Sequence, residues 1–226
     1  MMKQLLRLGS VVLATVVGFS SCMKEGDYFD SAAQYQIEKP IIEEYVKSTE
    51  GLEDAKLDTN SGIWYKVIKK GEREEGQENP YEIQEYQGRE AIVAAAVVKY
   101  EGRLVSDGTV FEKTTKTEGD SIALELDLYS GRPNYISAWM MSFFPKTIQI
   151  DSKDYNYGII FEDGLNTGDE VRIVVPSMHA YGNSSQGKIP ANSPLDFKIE
   201  VLSAKKLDLN PDEGDDDSDK DDDADD

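Results

Sequence analysis

The sequence predicts an α+β fold dominated by antiparallel strands, and three segments carry that prediction. Apolar and polar residues alternate from Leu195 to Leu202 and again from Ser61 to Ile68. This is the period of an antiparallel strand with one buried face. Val171 to Val175 is a β-branched run that stops at Pro176, because proline cannot donate a hydrogen bond to a ladder.

Further elements are predicted between these strands. Ala91 to Leu104 is strongly apolar, and its β-branched and aromatic residues suit a central strand. Ser121 to Leu128 is another candidate strand. A turn at Ser106 to Gly108 has the composition of a hairpin and leads to Phe111. Gly71 to Gln87 is polar and rich in glutamate, which favours a loop.

One amphipathic helix is predicted ahead of the strands. Four apolar residues recur at helical spacing with charged residues between them: Ile37, Ile41, Ile42 and Tyr45. Pro40 fits poorly inside a helix, because proline lacks the backbone N–H that an interior turn requires. The helix is therefore predicted to begin near Pro40, with the proline in its first turn, and to extend to about Thr49.

The N-terminus has the pattern of a secretory signal peptide over residues 1–21. Lys3 and Arg7 precede an apolar run around Val11 to Val17, and two serines stand directly before Cys22. The run is too short to cross about 30 Å of hydrocarbon. Cys22 is the only cysteine, so no disulfide can form within the chain.

The leader also suggests where the protein resides. The letters F-S-S-C ending at Cys22 resemble a bacterial lipobox, which implies cleavage before Cys22 and acylation of that residue. Acyl chains would attach the chain to a membrane. Met23 to Asp27 resembles the charged export tags of Bacteroidetes surface lipoproteins, or is a solvated spacer. The prediction is a lipid-anchored protein of the bacterial envelope, in the outer membrane, with residues 22–60 forming a linker and the helical segment.

The net charge of −20 argues against nucleic acid as a partner. Much of that charge lies in a tail, residues 207–226, which is nearly all acidic from Asp212 onward. Such a run repels itself and is predicted to be disordered. It lacks the spaced ligands and the glycine of a calcium-binding loop. With His179 as the only histidine, no His/Cys metal cluster is available, and no cofactor is predicted.

Three blocks of sequence resemble the FKBP-type peptidyl-prolyl isomerases. The first is A-Y-G at 180–182, then I-P at 189–190 and L-x-F-x-I-E-V-L from Leu195. The second runs from Val97 to Leu104 and continues to Asp107-Gly108 and Phe111, with one extra residue before the aspartate. The third is Gly168 to Pro176. The resemblance implies an FKBP-like domain over residues 61–206, a curved antiparallel sheet wrapped around a short helix, with a large insertion at about 113–158.

The resemblance also implies an apolar pocket for a proline ring. By position, five residues are predicted to be catalytic: Tyr100, Phe111, Glu112, Tyr181 and Phe197. Glu112 stands where the family usually has aspartate. Ala180 and Ile189 are predicted to contact substrate. The family forms its pocket floor with a tryptophan on the short helix, but the equivalent segment, Ile159 to Leu165, has none. Phe161 is the predicted floor, and Trp139 is the alternative.

The activity implied is cis-trans isomerisation of X-Pro bonds, which needs no covalent intermediate. The family position of His179 is not catalytic, so hydrolysis by a Ser-His-Asp set is not favoured. The predicted role is assisting the folding of exported or envelope proteins that contain proline. The alternative is a weak or inactive module that binds peptide, a partner protein or an envelope ligand. The run from Asn134 to Phe144 is either core or an apolar rim for peptide.

Overall fold

The computed structural model describes residues 29–73, 76, 78–86 and 88–209. Its helices and strands are, in chain order, α1 (Ser31–Ser48), β1 (Lys56–Leu57), β2 (Trp64–Lys69), β3 (Glu82–Tyr86), β4 (Arg89–Leu104), β5 (Val110–Lys113), β6 (Asp120–Asp127), α2 (Ser137–Phe143), β7 (Thr147–Ile150), β8 (Lys153–Asn156), β9 (Glu170–Val175) and β10 (Leu195–Lys205). Cys22 and the tail beyond residue 209 lie outside this range.

One antiparallel sheet organises the domain, and β4 is its longest strand. The strand order is β1-β2-β9-β10-β4-β3. β5 and β6 pair along the second edge of β4, so this strand contacts four others. The predicted α+β class and the strands predicted from alternation are confirmed. The segment predicted as a polar loop, 71–87, contains β3, whose polar side chains suit a strand that pairs on one edge only.

The two faces of the sheet carry different helices. Along β9, Ile173 and Val175 belong to the main core with α2, whereas Val174 belongs to a smaller core with α1. Neighbouring side chains of a strand point to opposite faces, so the sheet lies between the two helices. α2 packs into the main core through Trp139, Met140 and Phe143, and each of these residues is 5% exposed or less. α2 is thus the short helix that the sheet surrounds.

The stretch predicted as an insertion, 113–158, divides into two parts. β6 pairs with β4 over eight residues, and α2 fills the main core, so both belong to the domain itself. The hairpin of β7 and β8 forms a separate two-stranded sheet. This hairpin interrupts the connection from α2 to β9. The short helix, α2, therefore lies before the segment where it was predicted, Ile159 to Leu165.

The prediction that the first helix begins near Pro40 is wrong. α1 runs continuously through Pro40. An interior proline costs a helix about 3 kcal/mol, because one backbone hydrogen bond is lost. Burial of Ile42 and Val46 against the sheet offsets that cost. The buried face also differs from the predicted one, since Ile37 is 62% exposed.

A polar cluster fastens α1 to the sheet. The Tyr45 hydroxyl donates to Asp196 Oδ2 at 2.7 Å, and Arg172 Nη2 lies 2.6 Å from the same oxygen. Burial, followed by the hydrogen bond to Asp196, raises the pKa of Tyr45 to about 12. The phenol therefore remains a donor at neutral pH, and α1 is held in a fixed position on the sheet.

Candidate active site

Aromatic rings from four elements meet on the face of the sheet that packs against α2. Trp139 on α2 lies edge-to-face against Tyr100 of β4, with ring centroids 5.1 Å apart, and against Phe197 of β10 at 5.7 Å. Phe197 makes the same kind of contact with Phe111 of β5 at 5.7 Å. Edge-to-face pairs add stabilisation beyond the area they bury. The rings therefore form an ordered apolar cluster.

Gly102 makes room for one of these rings. It pairs with Phe197 in β10 and with Glu112 in β5. A Cβ atom at this position would lie 2.4 Å from the Phe111 ring, a distance that real contacts do not reach. The absence of a side chain lets Phe111 pack directly onto the backbone of β4. This packing explains why a glycine follows the tyrosine of β4 by two positions.

A cavity of about 340 Å³ opens beside the cluster, and we call it the aromatic cavity. Its lining residues are Tyr100, Glu112, Asn134, Tyr135, Ile136, Trp139, Tyr181 and Phe197. Tyr135 stacks on Trp139 with centroids 6.0 Å apart and is 37% exposed, so it forms part of the rim. The cavity thus combines an apolar floor with three phenols and one carboxylate.

All three phenols of the cavity are protonated at neutral pH, and burial raises the pKa of Tyr135. Burial, then a hydrogen bond to Glu112 and its charge, holds the pKa of Tyr100 well above its usual range. Burial, then the charge of Glu112, also raises the pKa of Tyr181. The hydroxyls of Tyr100 and Tyr181 therefore both keep their protons and can act as donors at the cavity wall.

Tyr181 is held in place by the turn that precedes it. β9 ends at Val175, and a 3₁₀ turn at Ser177–His179 leads into Ala180. Ala180 N and Gly182 N both donate to the Ser177 carbonyl, at 2.9 and 2.8 Å. Gly182 has φ of +57°, the left-handed region that favours glycine. The residue on each side of Tyr181 is therefore bonded to the same carbonyl.

The start of α2 is joined to this loop. The Ser137 hydroxyl lies 3.3 Å from His179 Nδ1 and 3.3 Å from the His179 carbonyl oxygen. Burial lowers the pKa of His179, so its ring is neutral at pH 7. The sole histidine therefore has a place in the contact between loop and helix. This contact sets Tyr181 relative to Trp139.

The structure brings most of the predicted site residues together. Tyr100, Glu112, Tyr181 and Phe197 line the aromatic cavity, and Phe111 packs behind Phe197. Two others lie near the cavity without lining it: Ala180 is half-buried against the core, and Ile189 is 4% exposed within it.

Phe161 does not form the floor of the cavity. Its ring lies outside the cluster, with Lys70 Nζ 5.4 Å and Arg73 Cζ 5.9 Å from its centroid. The hairpin of β7 and β8 lies between α2 and the motif before β9. The segment predicted to carry the helical aromatic, Ile159 to Leu165, therefore lies after the helix in the chain. Trp139, the alternative, occupies the floor.

The sequence left the run from Asn134 to Phe144 as either core or an apolar rim, and its first three residues were not predicted individually as site residues. Asn134, Tyr135 and Ile136 line the cavity, as the rim alternative predicts. The spacing of Tyr135 and Trp139, four residues apart at a helix start, was the available signal. Asn134 is fixed by hydrogen bonds to β6, since its N donates to the Glu125 carbonyl at 3.0 Å.

Neither a metal cluster nor a membrane helix is found in the described part of the chain. No three His, Cys, Asp or Glu side chains among those residues are placed to hold an ion. Within the same ranges, no helix has the length and apolar character to span a bilayer.

Comparison with known proteins gives a family match. Residues 160–202 match the model of the FKBP-type peptidyl-prolyl cis-trans isomerases. A Saccharomyces cerevisiae peptidyl-prolyl cis-trans isomerase is 32% identical over 108 residues, 48% of this chain and 20% of that protein. Human FKBP14 is 26% identical over 126 residues, 51% and 49% of the two chains. Escherichia coli FkpA is 24% identical over 189 residues, 80% and 55%.

The comparison with solved structures includes two bacterial proteins. The crystal structure of Escherichia coli FkpA has a TM-score of 0.47 at 22% identity, covering 78% of this chain and 62% of that one. A Pseudomonas syringae peptidyl-prolyl cis-trans isomerase has a TM-score of 0.45 at 21% identity, covering 80% and 100%. The chain spans between a fifth and about half of the length of the curated relatives described above. Residues 160–202 are therefore similar to the FKBP-type peptidyl-prolyl cis-trans isomerase family, and the curated relatives of that description are similar over about half of the chain or more.

Proposed function

We propose that this protein catalyses cis-trans isomerisation of X-Pro bonds in polypeptides. The observation that carries the proposal is the aromatic cavity, in which Trp139 and Phe197 provide an apolar floor and wall. Glu112 and the Tyr181 hydroxyl stand beside this surface. The cavity is open, and its lining includes no side chain of the β7–β8 hairpin. An open cavity favours an enzyme over a binding module whose pocket is filled.

The chemistry needs no bond to be made or broken by the protein. Rotation about an amide bond meets a barrier of about 18 to 20 kcal/mol, because it breaks resonance between nitrogen and carbonyl. The twisted amide is less polar along its C–N bond than the planar one, so a dry apolar wall favours the twisted form. The Tyr181 O–H holds the substrate carbonyl while the proline ring packs on Trp139. The Tyr100 ring forms part of the cavity wall and packs edge-to-face on Trp139, beside the Glu112 carboxylate.

Removal of the Tyr181 hydroxyl tests this assignment. Tyr181→Phe is expected to lower kcat/KM about three- to tenfold, the value of one neutral hydrogen bond. Tyr181→Ala also removes the ring and should lower kcat/KM by about a hundredfold. The measurement is a protease-coupled isomerisation assay on short X-Pro peptides, using the chain without its leader. Tyr65→Phe, at a tyrosine of β2 that lines neither this cavity nor the larger one described below, is the control and should leave the rate unchanged. Absence of acceleration by the unmodified protein, with several residues before proline, would refute the activity.

A second candidate function is binding of apolar polypeptide segments without isomerisation. A larger cavity, about 590 Å³, lies between the hairpin of β7 and β8 and one end of β4 and β6. The hairpin register pairs Ile148 with Tyr155, and these residues turn the apolar face of the hairpin towards Ile92 and Leu126. Tyr129 on the rim is 93% exposed. Peptide binding without acceleration in the same assay would favour this function.

The proposed setting is the bacterial envelope, where the protein would assist folding of exported proteins. Support comes from the lipobox-like letters that end at Cys22 and from the cationic and apolar leader before them. A lipid on Cys22, as in lipoproteins of Bacteroidetes, would hold the domain at the membrane with proline-containing polypeptides as its partners.

Substitution of Cys22 tests the anchor. Cys22→Ser is expected to move the protein from the membrane fraction to the soluble fraction and to abolish labelling by radioactive palmitate, because serine lacks the thiol that is acylated. Lys24→Ala, two residues further on, is the control and should leave both unchanged. A Cys22→Ser protein that still carries label would contradict the anchor.

A further inference from the structure

The carboxylate of Glu38 is a buried charged group that the proposed reaction does not involve. It lies on α1 and is 1% exposed, although glutamate is rarely buried to this degree. Its oxygens accept hydrogen bonds from the Ser177 backbone N at 2.8 Å, from the Ser177 hydroxyl, and from Gln34 Nε2 at 2.8 Å. These bonds replace the water that the carboxylate loses on burial.

Ser177 is the residue that organises the Tyr181 loop. It is itself 1% exposed, and it begins the 3₁₀ turn after β9. Glu38 fixes its N–H and hydroxyl, while its carbonyl accepts from Ala180 N and Gly182 N. One serine therefore links a carboxylate of α1 to both residues that flank Tyr181.

We propose that Glu38 is a positioning residue, which fixes Ser177 and thereby holds the Tyr181 hydroxyl at the wall of the aromatic cavity. The inference rests on the proposed isomerase function and adds helix α1 to the elements that form its site. α1 lies outside residues 160–202, the part that matches the family model. The N-terminal helix is thus part of the working site and not only a spacer between the anchor and the domain.

Two substitutions at Glu38 test whether its side chain acts through its hydrogen bonds to Ser177. Glutamine keeps the shape: its carbonyl accepts from Ser177 N–H, and its amide donates to the Ser177 hydroxyl oxygen and to the Gln34 side-chain oxygen, which faces it once the Gln34 amide turns over. Glu38→Gln should therefore keep kcat/KM within about threefold, whereas Glu38→Ala should lower it about tenfold. Glu44→Ala, on the exposed side of the same helix, is the matched control and should change nothing. Assays are run where urea titration shows each variant to be folded.

The decisive comparison is a double-mutant cycle with Tyr181. If Glu38 acts through Tyr181, Glu38→Ala has no further effect on kcat/KM once Tyr181→Ala is present. Additive losses would overturn the proposal, because they would show that Glu38 acts elsewhere in the protein. If Glu38→Ala does not fold, Ser177→Ala replaces it. That variant removes only the hydroxyl bond, and it should cost about threefold and be non-additive in the same way.

A second measurement does not depend on activity. In protein labelled with 3-fluorotyrosine, the fluorine NMR signal of Tyr181 is identified by its loss in Tyr181→Phe. Glu38→Ala should shift or broaden that signal, and Glu38→Gln and Glu44→Ala should not. An unmoved Tyr181 signal in Glu38→Ala overturns the positioning role. A moved signal in a protein without isomerase activity would instead retain the positioning role and refute only the proposed function.

Discussion

Replacing Asp169 with alanine is expected to lower the free energy of unfolding by about 3 to 5 kcal/mol, the usual cost of removing one partner from a buried ion pair. The Asp169 side chain is fully buried. Arg73 Nη2 donates to Oδ2 at 2.8 Å, Asn166 N donates to Oδ2 at 2.7 Å, and Gly71 N donates to Oδ1 at 2.7 Å. Alanine removes the acceptor that these three donors share. Urea unfolding followed by circular dichroism measures the loss as a shift in midpoint at constant slope.

The same arginine provides the matched control. Arg73 Nε also donates to Asp163 Oδ2 at 2.7 Å, but the Asp163 side chain is 43% exposed. Water can replace that contact, so Asp163→Ala should cost less than about 1 kcal/mol. Equal costs for the two variants would contradict the assignment of the stability to burial. The unequal result would show that Asp169 ties the chain after β2 to the start of β9.

The strands of the sheet were predictable because their side chains alternate. In β10, Phe197, Ile199 and Val201 are buried, while Lys198 and Glu200 between them are exposed. A period of two residues is visible in the sequence without knowledge of the partner strands. β3 was missed because its polar residues give no such alternation, and it forms only by pairing with β4.

Glu38 shows why some of the site could not be predicted. In sequence it is one of several charged residues on a helix, and such residues usually face water. Its burial depends on donors supplied by Ser177, 139 residues further along the chain. The continuous path of α1 through Pro40 has the same origin, since packing on the sheet outweighs a local preference. Tertiary contacts of this kind leave no local pattern.

Tyr100, Phe111, Tyr181 and Phe197 were found because each lies within a block of recognisable letters. Trp139 and Tyr135 lie between blocks, where the hairpin of β7 and β8 displaces the register. No spacing rule carries across an insertion of unknown length. The sequence therefore identified the walls of the cavity more securely than its floor.

Substituting Trp139 with leucine is expected to lower kcat/KM on X-Pro peptides by about a hundredfold, more than the loss for Tyr181→Phe. The indole contacts Tyr100, Tyr135 and Phe197, so leucine removes the flat floor and frees the neighbouring rings to repack. Trp139 is 5% exposed, and truncating a buried tryptophan to alanine costs about 3 to 5 kcal/mol of stability. Leucine leaves a smaller void, and Trp139→Phe, which retains a ring, should lose only about tenfold in rate.

Phe161→Leu is the comparison that decides which aromatic residue is the floor. Phe161 packs on the core beneath Lys70 and Arg73, away from the aromatic cavity, so its substitution should change kcat/KM by less than about twofold. Both variants remove an aromatic ring from a residue that packs in the main core. A general loss of packing would therefore affect both. A large loss for Phe161→Leu with little change for Trp139→Leu would move the floor to the segment before β9. A larger loss for Trp139→Leu than for Phe161→Leu instead assigns substrate binding to α2. The position of this helix was not predicted from the sequence, because the hairpin of β7 and β8 separates it from the motif before β9.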